Sequence, residues 1–468
     1  MRAVMVQGTS SWAGKSLIAT ALCRHFARLG HRVAPFKAQN MSNNARVVDG
    51  GEIGVAQYLQ AIAARAALDV RMNPVLVKPE GMTRSQVVVL GKVEHTISAL
   101  PWRERAPHLW PAISQSLHSL MDEYDVIVLE GAGSPAEINL MDCDMTNSRS
   151  ASEADARVLL VADIDRGGAF AHLYGTWALI GVEDRRRLCG FVLNKFRGDA
   201  SLLAPAPEQL RAMTGVPVVG IVPWFEHHLP DEDGAAAPRA AGDATSTVAI
   251  VRYPFASNLD EFKALEQVAH VRWARRPADL EGADLVVLPG SKHVASDLAW
   301  LRSVGFDNAV AVRARQGMRV LGICGGLQML GRRLHDPEGI DGSGDGVGLL
   351  PIETTFERDK LTRRVGVRFE NTLGLSWGAL AGREVTGYEI RHGRTVATSG
   401  TPMAIADGLG WVADPVLGVT VHGLMEDQDV LRALFGKAPT RSLDSAIDDL
   451  TDVVVGNLDK AFIDQLAP

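Results

Sequence analysis

The 468-residue chain is longer than one hydrophobic core usually serves, so two domains of ordinary size are expected. Its 46% apolar and 22% charged residues are typical of a globular protein and exclude wholesale disorder. The formal net charge is -7, and no stripe of Lys and Arg follows the chain. Composition therefore argues against a nucleic-acid partner.

The first residues pass from a short apolar run directly into a Gly/Ser loop, so neither a signal peptide nor a membrane anchor is predicted. The four cysteines, Cys23, Cys143, Cys189 and Cys324, are far apart and form no CxxC pair. Neither a zinc cluster nor a disulfide framework is indicated. These features favour a reducing cytoplasm and no membrane partner.

The first half alternates short apolar runs with segments long enough for helices. This pattern predicts a parallel sheet covered on both faces, which is a doubly wound α/β domain over residues 1–229. Its predicted strands are Arg2–Val6, Asp125–Leu129, Val158–Ala162, Gly190–Leu193 and Val218–Val222.

A glycine-rich loop, GTSSWAGKS, follows the first predicted strand and opens a predicted helix, Ser16–Leu29. Backbone N–H groups and the helix N-terminus of such a loop favour phosphate, Lys15 would reach the outer phosphates, and the Ser16 hydroxyl would bind Mg²⁺. The alternative is a plain Gly/Ser turn, and the spacing is one residue longer than the standard pattern. The predicted nucleotide-binding residues of the loop are Gly8, Thr9, Gly14, Lys15 and Ser16.

Other polar residues near predicted strand ends could complete the nucleotide site. Glu130 follows a strand and precedes Gly-Ala-Gly, which predicts a magnesium-binding carboxylate at the carboxyl edge of the sheet. Asp49 and Glu52 are weaker metal candidates, because acids in Gly-rich turns are often only solvated or capping. Asn194 follows another strand and either reads an adenine edge or turns the chain.

Residues 230–247 are rich in Ala, Gly, Pro and Asp without periodicity and predict a solvated linker. A second α/β domain is predicted over 248–437, closed by a helix at Asp427–Phe435. The tail, 438–468, carries a predicted helix around Asp444–Phe462. The predicted strands of this half are Val248–Val251, Asp284–Leu288, Arg319–Ile323, Thr386–Ile390, Met403–Ala406 and Val416–Val421.

Cys324 lies in Gly322-Ile-Cys-Gly-Gly326, between a predicted strand and a helix. The G-x-C-x-G frame is typical of a nucleophile elbow, where glycines permit the tight turn and the helix N-terminus favours a thiolate. A structural cysteine is the alternative, but it would not require glycines on both sides. The frame therefore predicts a thiol that attacks a carboxamide.

A thiol nucleophile needs a base that also protonates the departing ammonia. His422 ends a predicted strand downstream of the elbow and is the predicted base. A histidine at a strand end is often structural, so the elbow is what favours the catalytic interpretation. Gly290, in LPGSK, is the predicted oxyanion donor, with an ordinary Pro-Gly turn as the alternative.

Taken together in this order, the motifs resemble those of the cobyric acid synthase family over essentially the whole chain. Several are weak alone, but their joint order is specific. The strings that carry the resemblance are GTSSWAGKS, KAQNMSNN, DGGEIG, EGAGSPAEINL, VADIDRGGAFA, GFVLNKFRGD, LPGSK, GICGGLQMLG and GYEIRHGRT.

The resemblance implies a domain similar to dethiobiotin synthetase, which accounts for the longer phosphate loop, joined to a class I glutamine amidotransferase domain. Members of the family use ATP and glutamine-derived ammonia to amidate the b, d, e and g carboxylates of an adenosylated corrinoid a,c-diamide. The resemblance also implies that Lys37 contacts the reacting carboxylate and that Asp144 and Asn147 contact the corrinoid. ATP and Mg²⁺ are the implied cofactors, glutamine and the corrinoid the implied partners, and self-association is left open.

Two features depart from the family pattern. Trp12 stands where many relatives have an acidic residue, and Gly-Leu rather than Pro-Glu follows His422. The second departure predicts a Cys–His pair without an acidic third member.

Three alternative functions fit parts of this pattern. The nearest is the sibling a,c-diamide synthase, against which KAQNMSNN argues. The others are a switch resembling partition ATPases with a non-catalytic second domain, and a small-molecule kinase with a retired amidotransferase domain. The intact cysteine elbow argues against the switch, and an absence of glutaminase activity would indicate the kinase.

Overall fold

The computed structural model describes residues 2–80, 84–230, 244–398, 400 and 402–466. Most of the predicted linker lies outside the described residues. Within them, no helix has both the length and the apolar character needed to span a membrane.

The first domain is built around a parallel sheet. Its strands are β1 (Arg2–Gly8), β2 (Val33–Phe36), β3 (Gln39–Met41), β4 (Ala45–Val48), β5 (Gly51–Gly54), β6 (Val75–Pro79), β7 (Ser85–Val89), β8 (Lys92–Val93), β9 (Val126–Glu130), β10 (Arg157–Asp163), β11 (Leu188–Phe196) and β12 (Val218–Pro223). Its helices are α1 (Lys15–Arg28), α2 (Val55–Ala64), α3 (His95–Ala99), α4 (Ala106–Glu123), α5 (Ser148–Glu153), α6 (Ala169–Leu179), α7 (Val182–Arg187) and α8 (Ala206–Thr214).

The central sheet has the order β12-β11-β10-β1-β9-β2, and each neighbouring pair is parallel. Its strands are almost fully buried, because a separate hydrophobic cluster packs on each face. The doubly wound α/β fold predicted for this half is confirmed. The strand order brings the ends of β1 and β9 side by side, where the loop after β1 meets Glu130.

Additional strands lie between β2 and β9 and were not predicted. A small sheet has the order β3-β6-β7-β8, and β4 and β5 form an antiparallel hairpin. These strands are short, and their pairing depends on contacts with distant segments.

The second domain also has a central sheet. Its strands are β13 (Thr247–Val251), β14 (Ala256–Ser257), β15 (His270–Ala274), β16 (Leu285–Leu288), β17 (Gly290–Ser291), β18 (Arg319–Ile323), β19 (Arg333–His335), β20 (Gly344–Asp345), β21 (Ile352–Arg368), β22 (Glu384–Ala397), β23 (Met403–Ile405), β24 (Gly410–Ala413) and β25 (Val416–Val419). Its helices are α9 (Val294–Val304), α10 (Phe306–Arg315), α11 (Gly325–Leu330), α12 (Gly374–Trp377) and α13 (Gln428–Phe435).

The order of this sheet is β15-β13-β16-β18-β25-β24-β23, with parallel pairs from β15 to β25 and antiparallel pairs beyond. The predicted strand Thr386–Ile390 is real, but it does not belong to this sheet. It lies in the first half of β22, which pairs with β21 in a long hairpin that reaches the β4–β5 hairpin of the first domain. The sequence predicted a strand correctly and could not specify its partner.

The tail forms two helices, α14 (Leu443–Gly456) and α15 (Lys460–Leu466), and not the single helix predicted. The break occurs where Leu458 bridges to Gly220 and the Asp459 amide donates to the Val219 carbonyl, 2.7 Å away. Residues of both helices join the hydrophobic cluster on the α1 face of the first sheet. The tail therefore returns to the first domain and completes its core.

Candidate functional sites

The phosphate loop connects β1 to α1. Gly14 has a φ of 101°, and a Cβ there would lie 2.0 Å from Asn194 Nδ2, so only glycine fits. That Asn194 amide donates to the Ala13 carbonyl at 2.9 Å. Asn194 therefore braces the loop, and its contact with an adenine edge stays a prediction.

Lys15 lies across the mouth of this loop. Its Nζ donates to the carbonyls of Ser10 and Gly133, each 3.0 Å away, and its stem passes over Gly8. Thr9 is tied to β10 through its backbone amide, which donates to the Val161 carbonyl at 2.9 Å. The loop is thus held on both sides, with the lysine ammonium facing the loop carbonyls.

Glu130 is the centre of a buried polar cluster at the end of β9. Its Oε1 accepts from the Ser16 hydroxyl at 2.9 Å and from Lys37 Nζ at 2.8 Å, and Gln60 donates to the other oxygen. Burial by itself would raise the pKa of Glu130, but the Lys37 charge and these hydrogen bonds hold it below its ordinary value. Glu130 is therefore an ionised carboxylate beside a loop hydroxyl, a donor pair that suits Mg²⁺ with its waters and phosphates.

A cavity of about 580 Å³ opens over the loop. Lys15, Lys37 and Glu130 line it, together with the exposed apolar side chains of Trp102 and Met41. An apolar rim around a charged floor suits a ligand that has both a large flat face and carboxylates.

Asp144 and Asn147 line the same cavity. The Asp144 carboxylate accepts the backbone amides of Thr146 and Asn147, each at 2.9 Å, and so organises the start of α5. Asn147 Nδ2 donates to the Ala132 carbonyl at 2.8 Å, while its buried Oδ1 has no hydrogen-bond partner among the described residues. Of the two, Asn147 has the spare polar group.

Asp49 does not join the phosphate loop. It is exposed in the turn between β4 and β5 and lines a separate cavity, of about 550 Å³, with Lys92 and Arg358. Glu130 lines the other cavity, over the phosphate loop. Glu52, the other acid of this turn, is buried between Lys78 and Lys360 and belongs to an ion cluster at the domain interface.

The cysteine elbow has the expected geometry. Cys324 lies between β18 and α11 with a φ of 49°, a strained conformation for a residue with a side chain. A Cβ on Gly326 would lie 1.9 Å from the Leu288 carbonyl oxygen, and one on Gly325 would lie 2.6 Å from the Ser291 amide. The glycines therefore let the elbow press against the LPGSK segment.

His422 lies beside this elbow and is only 1% exposed. Its imidazole interacts electrostatically with Cys324, and its Nδ1 lies 2.9 Å from Glu261 Oε1. The second oxygen of Glu261 accepts the Gly423 amide at 2.9 Å. The expectation of a Cys–His pair without an acidic member is therefore wrong, because Glu261 supplies a carboxylate from a different part of the chain.

Charge pairing dominates the ionisation of His422. Burial would lower its pKa, but the opposing charges of Cys324 and Glu261 raise it to about 10. Gly290 lies against the same imidazole, because a Cβ there would be 2.9 Å from His422 Cε1. Cys324, His422 and Gly290, predicted as nucleophile, base and oxyanion donor, are thus brought together.

No spacing rule pointed to Glu261. It lies 161 residues before His422, in the short 3₁₀ helix Leu259–Phe262. The available signal was weak: two acidic residues, Asp260 and Glu261, stand between apolar neighbours that would be expected inside a core.

These observations define a class of protein, in which a P-loop nucleotide-binding domain is joined to a glutamine amidotransferase domain with a cysteine elbow. Residues 4–232 match the CobQ/CobB/MinD/ParA nucleotide binding domain family, and residues 247–430 match the CobB/CobQ-like glutamine amidotransferase domain family.

Full-length relatives narrow the assignment. The chain is 58% identical to the cobyric acid synthase of Variovorax paradoxus, over 97% of this chain and 96% of the relative. It is 55% identical to the corresponding proteins of Polaromonas naphthalenivorans, over 97% and 96%, and of Acidovorax sp., over 100% and 98%. The chain belongs to the cobyric acid synthase family.

Proposed function

We propose that this enzyme makes cobyric acid by amidating the b, d, e and g carboxylates of an adenosylated corrinoid a,c-diamide, with ATP and with ammonia from glutamine. The observation that carries the proposal is the presence of two complete sites in one chain. Ser16, Lys37 and Glu130 gather at a phosphate loop, and Cys324, His422 and Glu261 gather at an elbow. A carboxylate-activating site and an ammonia-releasing site together suit amide synthesis.

Activation of the carboxylate is proposed to pass through an acyl phosphate. A carboxylate is a poor electrophile, and phosphorylation converts one of its oxygens into a leaving group. Lys15 would bind the transferred phosphoryl group, while Ser16 and Glu130 would hold Mg²⁺. When bound, the metal neutralises charge on the phosphates. Lys37, paired with Glu130 at the cavity floor, would orient the reacting carboxylate.

Ammonia release is proposed to follow thiol chemistry. The Cys324 thiolate attacks the carboxamide carbon of glutamine, the C–N bond breaks, and His422 protonates the departing nitrogen. Water then hydrolyses the thioester to glutamate and restores the thiol. Glu261 would hold the imidazole ring and stabilise its charged form, as the acid of a triad does. The backbone amides of Gly290 and Gly325 would bind the oxyanion.

The corrinoid is proposed to occupy the cavity above the loop. Its macrocycle would lie on Trp102 and Met41, with Asn147 in the cavity wall beside a peripheral group. Asp144 would position Asn147 by binding the backbone amides at the start of α5. A reducing cytoplasm suits the four free cysteines of the chain.

The test is to separate the two sites in one assay. Corrinoid diamide is incubated with Mg-ATP and either glutamine or ammonium salt at raised pH, and successive replacements of OH by NH₂ are counted by mass spectrometry. Cys324→Ala should lose amidation from glutamine and retain it from ammonia, whereas Lys15→Ala should lose both. A folded Cys324→Ala protein that still consumed glutamine would contradict the proposed nucleophile. Release of AMP and pyrophosphate would contradict the acyl phosphate.

A further inference from the structure

The two domains share a buried arginine. Arg46, in β4 of the first domain, is 5% exposed. Its Nε donates to Asp260 Oδ2 at 2.8 Å, and its Nη1 donates to Glu426 Oε2 at 2.9 Å. Both carboxylates belong to the second domain, so the guanidinium forms a double ion pair across the interface. A planar fork of this kind fixes orientation as well as charge.

The second-domain segment held by Arg46 is the one that carries Glu261. Asp260 precedes Glu261 directly in the 3₁₀ helix Leu259–Phe262. The Leu259 amide donates to Asn44 Oδ1 at 3.1 Å, and Asn258 Nδ2 donates to the Ala45 carbonyl at 2.7 Å. Asn44, Ala45 and Arg46, three consecutive residues of the first domain, therefore hydrogen-bond this helix and the residue before it.

A second route leads from Arg46 to the catalytic histidine. The guanidinium carbon lies 5.2 Å from the centroid of the Tyr388 ring, and that ring stacks on the His422 imidazole at 5.3 Å and 19°. Tyr388 and His422 also exchange backbone hydrogen bonds, of 3.2 and 2.8 Å. Arg46 thus contacts both the segment that bears the triad carboxylate and the ring that covers the imidazole.

The position of the Leu259–Phe262 helix depends on the charge of Arg46. Asp260 is buried, which raises its pKa, while the Arg46 charge opposes that rise. Without the guanidinium, Asp260 would be a buried carboxylate next to Glu261, and the 3₁₀ helix would relax toward solvent. A displacement of about 1 Å in a catalytic group can lower a rate about 100-fold.

We propose that Arg46 is a positioning residue for glutamine hydrolysis, so that the glutaminase centre is competent only when the first domain is docked against it. The inference rests on the proposed function and extends it. It assigns to the first domain a part in a reaction whose chemical groups all lie in the second.

The experiment compares Arg46→Gln with Arg364→Gln. Arg364 also crosses the interface, its Nε donating to the Val47 carbonyl at 3.3 Å. It lies opposite Tyr388 in the β21–β22 ladder, but that pairing is made by the backbone, and within the described residues its side chain forms no hydrogen bond with the Leu259–Phe262 helix or His422. Glutamine hydrolysis, ammonia-driven amidation and the alkylation rate of Cys324, read on its own peptide by mass spectrometry, are measured for each protein.

Arg46→Gln should lower glutamine hydrolysis and Cys324 alkylation by roughly 10- to 100-fold, while ammonia-driven amidation stays within about twofold. Arg364→Gln should leave all three rates close to those of the unmodified enzyme. Retained ammonia-driven activity shows that the variant is folded.

Normal glutamine hydrolysis in Arg46→Gln would overturn the inference. So would an equal loss of glutamine- and ammonia-driven activity, or an equal loss of hydrolysis in Arg364→Gln. If the unmodified enzyme did not hydrolyse glutamine through Cys324, the proposed function itself would fail, and that result is distinct from the others.

Discussion

Replacing Glu261 by Gln tests whether this carboxylate serves His422. The carboxamide keeps the size of the side chain and can still accept the Gly423 amide, but it removes the negative charge 2.9 Å from the imidazole Nδ1. We therefore expect the charged form of His422 to be less stable and its pKa to fall.

The size of the expected rate loss follows from the ion pairing of His422. A rise in pKa from 6.5 to about 10 corresponds, at about 1.4 kcal/mol per tenfold change, to about 5 kcal/mol in favour of the imidazolium. Two charges, those of Cys324 and Glu261, produce this rise. Glu261 supplies one of these charges, and a hydrogen bond to a charged group contributes about 1.5–3 kcal/mol, which is about 10- to 150-fold in kcat/KM for glutamine hydrolysis.

The assay follows glutamine hydrolysis against pH. In Glu261→Gln the alkaline limb of the profile should move to lower pH, because His422 would lose its proton earlier. Ammonia-driven amidation should be unchanged. Glu266→Gln is the matched control, since Glu266 lies in the next 3₁₀ helix and pairs with Lys263 at 2.8 Å. An unchanged pH profile and rate in folded Glu261→Gln would refute the assignment.

Three other substitutions test the rest of the molecule. Glu130→Gln should lower amidation from either nitrogen source by roughly 100-fold or more and weaken the magnesium dependence, and unchanged turnover would remove Glu130 from the site. Glu52 has a pKa lowered to about 2 from 4.5, because the charges of Lys360 and Lys78 outweigh its burial, so it contributes stability that is present above pH 4.5 and lost as pH falls through 2. Burial also lowers the pKa of Lys360 to about 8, which offsets part of this gain. In urea unfolding Glu52→Gln should cost about 1–3 kcal/mol at pH 7, with the difference from the unmodified enzyme narrowing between pH 4.5 and 2. Leu450→Ala, in the tail, should cost about 2–5 kcal/mol because Leu450 is 1% exposed, and a change under about 0.5 kcal/mol would show that the tail is not part of the core.

Local sequence determined the parts of each site that are continuous in the chain. The phosphate loop at Gly8–Ser16 and the elbow around Cys324 were predicted with their flanking strands, because tight turns, glycine positions and helix starts depend on neighbouring residues. Most strands of the two central sheets were also predicted, since an apolar run between turn residues has few alternatives to a covered parallel strand. The strands β2, β15 and β24 were missed.

Only the tertiary structure decided which distant groups meet. Glu130 and Lys37 are 93 residues apart, and Arg46 and Asp260 are 214 apart. Glu261 became visible as a partner of His422 only when the 3₁₀ helix was packed beside the elbow. The sequence of the tail likewise predicted a helix but did not indicate that the tail packs in the core of the first domain. Neighbouring residues encode local backbone geometry, but the pairing of a buried charge depends on which surfaces pack together, and no single stretch of sequence contains that information.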